Sequence, residues 1–110
     1  MTTLSTHVLD TAHGRPAAGM ALALFDEYGT VLFRGVTDGD GRCPDLPSPG
    51  PGRYRLEFAL ADYFRGAGID LPDPPFFEVV SVAFGIAADG GHYHVPLLAS
   101  PYAYSTYRGS

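Results

Sequence analysis

A chain of 110 residues with a net charge of −5 at neutral pH is long enough to bury one core and too acidic to suit nucleic acid or an anionic membrane surface as a partner. Only 17% of its residues are charged, below the roughly 25% of an average domain, so we expect other copies of the chain to cover part of its surface. All seven basic residues are arginines, and the absence of lysine excludes Schiff-base chemistry and lysine-dependent phosphate loops.

The first half of the chain reads as short strands separated by turns. Runs of alternating polar and apolar residues predict strands over residues 4–10, 20–26 and 31–37. The sequence AHGRP at 12–16 predicts a turn, and a short edge strand is predicted near residues 42–46 after the turn cluster DGDG. Glycine and proline recur between these runs, as is typical of an antiparallel sandwich or barrel.

The second half adds one helix to the same pattern. Tyr54, Leu56 and Phe58 alternate with charged residues in the clearest strand of the chain, and ALADYFRGAG at 59–68 has helical spacing instead. Further strands are predicted over residues 77–86, 92–98 and 102–108. The total of about eight strands and one short helix predicts an all-β, two-sheet sandwich in a single domain covering residues 1–110.

The histidines of two strands are predicted to face away from the core. Tyr93, Val95 and Leu97 are the apolar set of their strand, so His92 and His94 project from its opposite face. The same alternation in LSTHVLD turns His7 outward. The pair His92 and His94 could ligate zinc, but without an identifiable third ligand this is a weak signal, and we predict no metal and no cofactor.

Cysteine usage and the first residues bear on location. The single cysteine, Cys43, cannot form an internal disulfide, and we interpret it as a half-buried structural residue rather than a nucleophile. The opening MTTLSTHVLD lacks a basic segment followed by an apolar one, and no stretch approaches the ~18 apolar residues of a membrane span. We therefore predict a cytoplasmic protein.

Five segments carry a resemblance to a known family. LSTHVLDTAHGRPAAGM, TDGDGRCPDL, YRLEFALADYF, HYHVPLLASPYAYSTY and the final YRGS resemble the 5-hydroxyisourate hydrolases, the transthyretin-related enzymes of purine catabolism. The most specific segment is YRGS, which accompanies the hydrolases and is absent from the hormone-carrying transthyretins. The resemblance implies a transthyretin-like sandwich of two four-stranded sheets, assembled as a homotetramer (a dimer of dimers) with its active site in the channel between dimers.

The resemblance also implies a set of site residues. By matching motif, the catalytic residues are His7, Arg42, His94 and Ser110, and the substrate-binding residues are His7, Arg42, Tyr107 and Arg108. We assign water activation to His94, substrate orientation or proton relay to His7, and charge stabilisation to Arg42. Ser110 offers a hydroxyl and a terminal carboxylate, Arg108 is expected to hold the end of the chain in place, and Gly109 is expected to let the backbone turn there.

The implied reaction is hydrolytic opening of the six-membered ring of 5-hydroxyisourate, a small-molecule substrate, in urate degradation. The alternative is a non-catalytic carrier of a small ligand on the same fold, because a fold alone does not decide function. A structural sandwich or adhesion module is a third option, and it predicts a signal peptide or a position within a longer extracellular chain.

Overall fold

The computed structural model describes all 110 residues as two four-stranded sheets with one short helix. In chain order the elements are β1 (Thr2–Asp10), β2 (Arg15–Pro16), β3 (Ala21–Asp26), β4 (Val31–Val36), β5 (Gly52–Phe58), α1 (Leu60–Gly66), β6 (Val80–Ile86), β7 (Gly91–Ser100) and β8 (Ala103–Thr106). One sheet has the order β2-β1-β7-β8 and the other the order β4-β3-β5-β6. The predicted sandwich of two four-stranded sheets is confirmed.

The core forms where the apolar faces of the two sheets meet. Val8 and Leu97 come from one sheet, Leu24 and Leu56 from the other, and all four are completely buried. Their neighbours along each strand point outward, because successive side chains of a strand lie on opposite faces. Helix α1 adds Phe64 to the same cluster. With seven residues, α1 is the only helix, and no helix here could span a membrane.

One pair of neighbouring strands is parallel, which the predicted antiparallel sandwich does not include. β1 and β7 run in the same direction with Ser5 beside His94 and His7 beside Pro96, whereas every other pair is antiparallel. These two strands lie far apart in sequence, so no hairpin dictates their relative direction. The parallel register places the outward-facing residues of the two strands side by side.

The predicted edge strand over residues 42–46 is wrong. Within that range only Arg42 pairs with a strand, through an isolated bridge to His7. Pro44 has no N–H to offer a ladder, and a turn occupies Pro44 and Asp45. The eighth strand is instead β2, at the end of the predicted 12–16 turn, where Pro16 pairs with Leu9 of β1.

Three other predicted elements are confirmed with shorter bounds. The helix covers Leu60–Gly66 rather than 59–68, β6 covers Val80–Ile86 rather than 77–86, and β8 covers Ala103–Thr106 rather than 102–108. After β8 the chain leaves the sheet, and its backbone pairs with the sheet again at Gly109, which bridges to His94.

Candidate active site

The turn that carries Arg42 is organised by one carboxylate. Oδ1 of Asp38 accepts hydrogen bonds from the backbone N–H of Asp40 at 2.9 Å and of Arg42 at 3.0 Å. The backbone N–H of Asp38 donates to the carbonyl of Arg42 at 2.7 Å, and Gly41 N–H donates to the carbonyl of Asp38. An aspartate side chain that accepts from the backbone N–H groups of the residues after it stabilises such a turn, so this short segment has a defined shape.

The same turn docks on β1 beside His7. Val8 N–H donates to the carbonyl of Gly41 at 2.8 Å, and the contact is so close that a Cβ on Gly41 would lie 2.3 Å from the Val8 carbonyl oxygen. Nε2 of His7 lies 2.9 Å from the carbonyl oxygen of Asp40. A carbonyl can only accept, so Nε2 of His7 carries a proton and donates it. His7 and Arg42 are therefore fixed to each other through the main chain.

The guanidinium of Arg42 is free to act on a ligand. The side chain is exposed, and no carboxylate of the chain lies within ion-pairing distance of it. A guanidinium is always charged and presents several N–H donors in one plane, so it is suited to bind anionic or carbonyl groups. Arg42 can therefore provide positive charge next to His7.

His94 lies on the outward face of β7, held from the neighbouring strand. Its Nδ1 is 2.8 Å from Oγ of Ser5 on β1. One repeat away, Nδ1 of His92 is 2.6 Å from Oγ1 of Thr3, and the two imidazole planes are nearly parallel, at 7°. The predicted outward orientation of the histidines agrees with this arrangement, since His92 is exposed and both His7 and His94 are half-buried.

The surroundings of His94 favour its neutral form. Burial lowers the pKa of His94 below its ordinary value of 6.5, and the positive charge of Arg42 lowers the pKa further, followed by His92 and His7. Ser5 is the one neighbour that raises the pKa. An imidazole that stays unprotonated at neutral pH can accept a proton from water.

The C-terminal segment is anchored beside the two histidines. Gly109 N–H donates to the carbonyl of His94 at 2.8 Å, and Arg108 donates from Nη2 to the carbonyl of His92 at 3.2 Å. The guanidinium of Arg108 also lies 4.3 Å from the centre of the Tyr93 ring, a cation–π distance. Arg108 thus holds the end of the chain, as the sequence predicts.

The remaining tail residues, Tyr107 and Ser110, lie near the site but form no hydrogen bonds with its histidines. Tyr107 is 60% exposed, and together with Arg108 and His94 it lines a groove of about 470 Å³ beside β6. Ser110 is exposed at the outer end. The largest cavity, about 620 Å³ between α1 and β2, contains none of the predicted site residues.

The structure therefore brings together the predicted residues from three separate parts of the chain. His7 and Arg42 are joined by a backbone bridge, and His94 is close enough to both for their charges to act on its pKa. Two contributors were missed from the sequence: Ser5, which binds His94, and Asp38, which shapes the turn. Alternation did place Ser5 on the outward face with His7, but its partner on β7 depends on the register.

The outward-facing histidines could also be considered as metal ligands. No group of three or more histidine, cysteine, aspartate or glutamate side chains is arranged to hold a metal ion. Nδ1 of His92 contacts the hydroxyl group of Thr3, and Nδ1 of His94 contacts the hydroxyl group of Ser5.

The two four-stranded sheets form a transthyretin-like sandwich. Its polar site consists of two histidines and an unpaired arginine beside the anchored C-terminus. The family model described as HIUase/Transthyretin family matches residues 4–109, and the chain belongs to that family. A relative from Rhizobium meliloti named 5-hydroxyisourate hydrolase 2 is 54% identical, over 97% of this chain and 95% of its own.

Two solved structures extend the comparison to both branches of the family. The 5-hydroxyisourate hydrolase of Klebsiella pneumoniae is 37% identical, with a TM-score of 0.86 and coverage of 100% of both chains. Sea bream transthyretin in complex with thyroxine is 33% identical, with a TM-score of 0.85, over 96% of this chain and 93% of its own. The fold is common to the two, so it does not separate enzyme from carrier.

Proposed function

We propose that this protein is a cyclic amide hydrolase that opens the six-membered ring of 5-hydroxyisourate to 2-oxo-4-hydroxy-4-carboxy-5-ureidoimidazoline. The observation that carries the proposal is the grouping of His7, Arg42 and His94 on one outward face. Relatives 43–54% identical over 97% of this chain bear the name of that hydrolase. The reaction places the protein in purine metabolism, within urate catabolism.

His94 is the proposed base. A water molecule attacks the lactam carbonyl carbon while His94 accepts one of its protons, which forms a tetrahedral intermediate with a negative oxygen. The depressed pKa of His94 keeps the imidazole ready to accept that proton at neutral pH. When the C–N bond breaks, the proton passes from His94 to the departing nitrogen. The carbonyl carbon becomes a carboxylic acid, which releases the second proton of the water to solvent and leaves a carboxylate.

Arg42 stabilises the negative oxygen of that intermediate. Its charge is not neutralised by any carboxylate of the chain, and the turn anchored by Asp38 fixes its backbone. Stabilising charge that develops in the transition state is worth a factor on the order of 10²–10³ in kcat for one donor at sites of this kind. His7 orients the substrate or relays the proton, and its fixed Nε2–H leaves Nδ1 as the nitrogen that can accept.

The C-terminal segment completes the binding site. Tyr107 is proposed to line the substrate pocket, and Ser110 to supply a polar group at its outer end. Arg108 is proposed to contribute positive charge near the substrate while it anchors the tail to the carbonyl of His92.

The carrier alternative predicts a different surface. A channel for an apolar hormone needs apolar walls and gains nothing from an unpaired arginine beside two histidines, since buried charge without a partner is costly. The polar site and the hydrolase names of the relatives from Rhizobium meliloti and Klebsiella pneumoniae both favour the enzyme.

We also propose that the protein works as a homotetramer in the cytoplasm. The proposed site lies on the outer face of a sheet, where a second copy would enclose it and exclude water. Exposed aromatic residues, including Phe76 at 71% and Tyr102 at 60%, lie in one contact cluster near β8 and support association at that edge. Sedimentation at micromolar concentration tests the assembly, and a monomer would contradict it.

The activity is tested by generating 5-hydroxyisourate in place with a urate oxidase and following its decay. We expect the protein to accelerate the decay, and His7→Ala, Arg42→Ala and His94→Ala to abolish most of the acceleration. The matched control is Arg53→Ala, which removes an exposed arginine from the other sheet and should keep full activity. No acceleration by the intact protein would overturn the proposal.

A further inference from the structure

Two hydroxyl–imidazole pairs repeat along β1 and β7. Because the strands are parallel, Thr3 lies beside His92 and Ser5 beside His94, and each hydroxyl reaches Nδ1 of its histidine at 2.6 Å and 2.8 Å. In the second pair, burial and the charges of Arg42 and His7 lower the pKa of His94. The proposed catalytic residues do not include Ser5.

We propose that Ser5 is a positioning residue that holds His94 as the Nδ1–H tautomer and so leaves Nε2 free to accept the proton from water. The inference rests on the proposed function, because it assigns a nitrogen to the proposed base. A neutral imidazole carries a proton on one nitrogen only, so a partner that accepts at Nδ1 makes Nε2 the basic nitrogen.

The proposed role of His94 requires Ser5 to accept rather than to donate. A hydroxyl can do either, but a hydroxyl that donates to Nδ1 would leave the ring proton on Nε2, and His94 could not then take a proton from water through that nitrogen. The same hydroxyl remains a good acceptor when His94 becomes an imidazolium, so the contact persists through the proton transfer.

The ring has little freedom to escape this contact. On its other edge the backbone of Gly109 approaches so closely that a Cβ there would lie 2.4 Å from Cδ2 of His94. The ring of His92 is parallel to it, with centroids 6.4 Å apart. The histidine is therefore bounded by β1, by the C-terminal segment and by its neighbour on β7.

His7 and His94 consequently present different nitrogens. His7 donates from Nε2 to the carbonyl of Asp40 and so accepts through Nδ1, whereas His94 accepts through Nε2. Imidazoles that present different nitrogens suit a reaction in which His94 takes a proton from water and that proton later passes to the departing nitrogen. In this proposal Ser5 fixes the tautomer of His94.

The test compares Ser5→Ala and Ser5→Thr with Thr3→Val, which removes the corresponding hydroxyl beside His92. We expect Ser5→Ala to lower kcat about three- to tenfold, the loss expected of one neutral hydrogen bond, with KM changed less than twofold. The acid limb of the kcat/KM profile should move to lower pH, since the imidazolium of His94 loses an acceptor. Ser5→Thr should restore kcat, and Thr3→Val should leave both kcat and the limb within twofold of the unaltered protein.

A nitrogen-15 NMR measurement of the His94 side chain reads the tautomer without any substrate. We expect an unprotonated Nε2 in the unaltered protein and a shift toward protonated Nε2 in Ser5→Ala. A protonated Nε2 in the unaltered protein, or a Ser5→Ala variant with unchanged tautomer and kcat, would overturn the inference. A tautomer change in a protein that has no hydrolase activity would support the positioning by Ser5 and overturn the proposed function instead.

Discussion

A single methyl group added at Gly109 should disable the site while leaving the fold intact. Gly109 follows the anchored Arg108, and its backbone lies against the ring of His94. A Cβ at this position would meet Cδ2 of His94 at 2.4 Å and Cβ of the same residue at 3.2 Å. Favourable carbon–carbon contacts lie at roughly 3.5–4.0 Å, so one of the two partners must move by about 1 Å.

Either movement is expected to reduce activity. If the ring moves, the proposed base leaves its position, and a misplacement of about 1 Å can cost on the order of 10²-fold in rate. If the tail moves instead, the 2.8 Å hydrogen bond from Gly109 to His94 is broken and Tyr107 and Ser110 shift with it. We therefore expect Gly109→Ala to lower kcat about 100-fold, with a change in thermal stability of a few degrees at most, since the tail lies outside the core.

The assay is steady-state turnover of 5-hydroxyisourate generated by urate oxidase, together with a melting curve at one protein concentration. The matched control is Gly66→Ala, because a Cβ on Gly66 meets nothing within 4 Å and the residue ends helix α1. That control should keep full kcat. A Gly109→Ala variant with unimpaired kcat would show that the C-terminal segment does not position His94, and would refute the reasoning.

Three further predictions follow from other contacts of the site and core. Asp38→Ala should lower kcat/KM about tenfold, because it removes the one oxygen that accepts both hydrogen bonds of the Arg42 turn. Asp38→Asn keeps an acceptor at the same place and should recover most of the activity, so an equal loss in both variants would contradict the role given to Asp38. The acid limb of kcat/KM should lie below pH 6.5, because the pKa of His94 is lowered by burial and by Arg42. In Arg42→Gln the acid limb of the residual activity should move to higher pH. A shift to lower pH would be evidence against His94 as the base. Tyr63→Phe should destabilise the protein by about 2 kcal/mol at pH 7 in urea unfolding, because Tyr63 donates at 2.7 Å to the buried carboxylate of Asp10. Burial raises the pKa of Asp10, but the hydrogen bonds from Tyr63 and His13 outweigh burial and hold the pKa below its ordinary value. The stabilisation by the Tyr63–Asp10 hydrogen bond is therefore present above about pH 4 and should shrink as the pH falls further. A stability difference between the two proteins that does not change with pH would contradict this prediction.

The strands and the outward histidines could be predicted because they depend on local alternation. A period of two in YRLEF and HYHVPLL indicates which side chains enter the core, and the structure buries Leu56 and Leu97 as that pattern requires. His92 and His94, on the opposite side of β7, are left outside the core for the same reason. No knowledge of the partner strand is needed for this part of the prediction.

The contacts between site residues could not be predicted, because they depend on pairing between distant parts of the chain. Ser5 and His94 are 89 positions apart, and nothing local specifies that their strands are parallel and in this register. The edge strand expected near residue 42 failed for a related reason. Asp38 and Gly41 fold the chain into a turn that docks on β1, so Arg42 meets His7 through one bridge rather than through a ladder.

The parallel pairing of β1 and β7 also explains why His94 and His7 have different kinds of hydrogen-bond partner. Each step of two residues along β1 and β7 keeps neighbours side by side, so the row after Thr3–His92 and Ser5–His94 is His7–Pro96. Proline offers His7 no side-chain hydrogen bond, and His7 must be fixed from outside the sheet. The Asp40 carbonyl does this, and it belongs to the same turn that presents Arg42. Any change that moves this turn therefore moves the orientation of His7 and the charge of Arg42 together, while the hydrogen bond between Ser5 and His94 lies within the sheet.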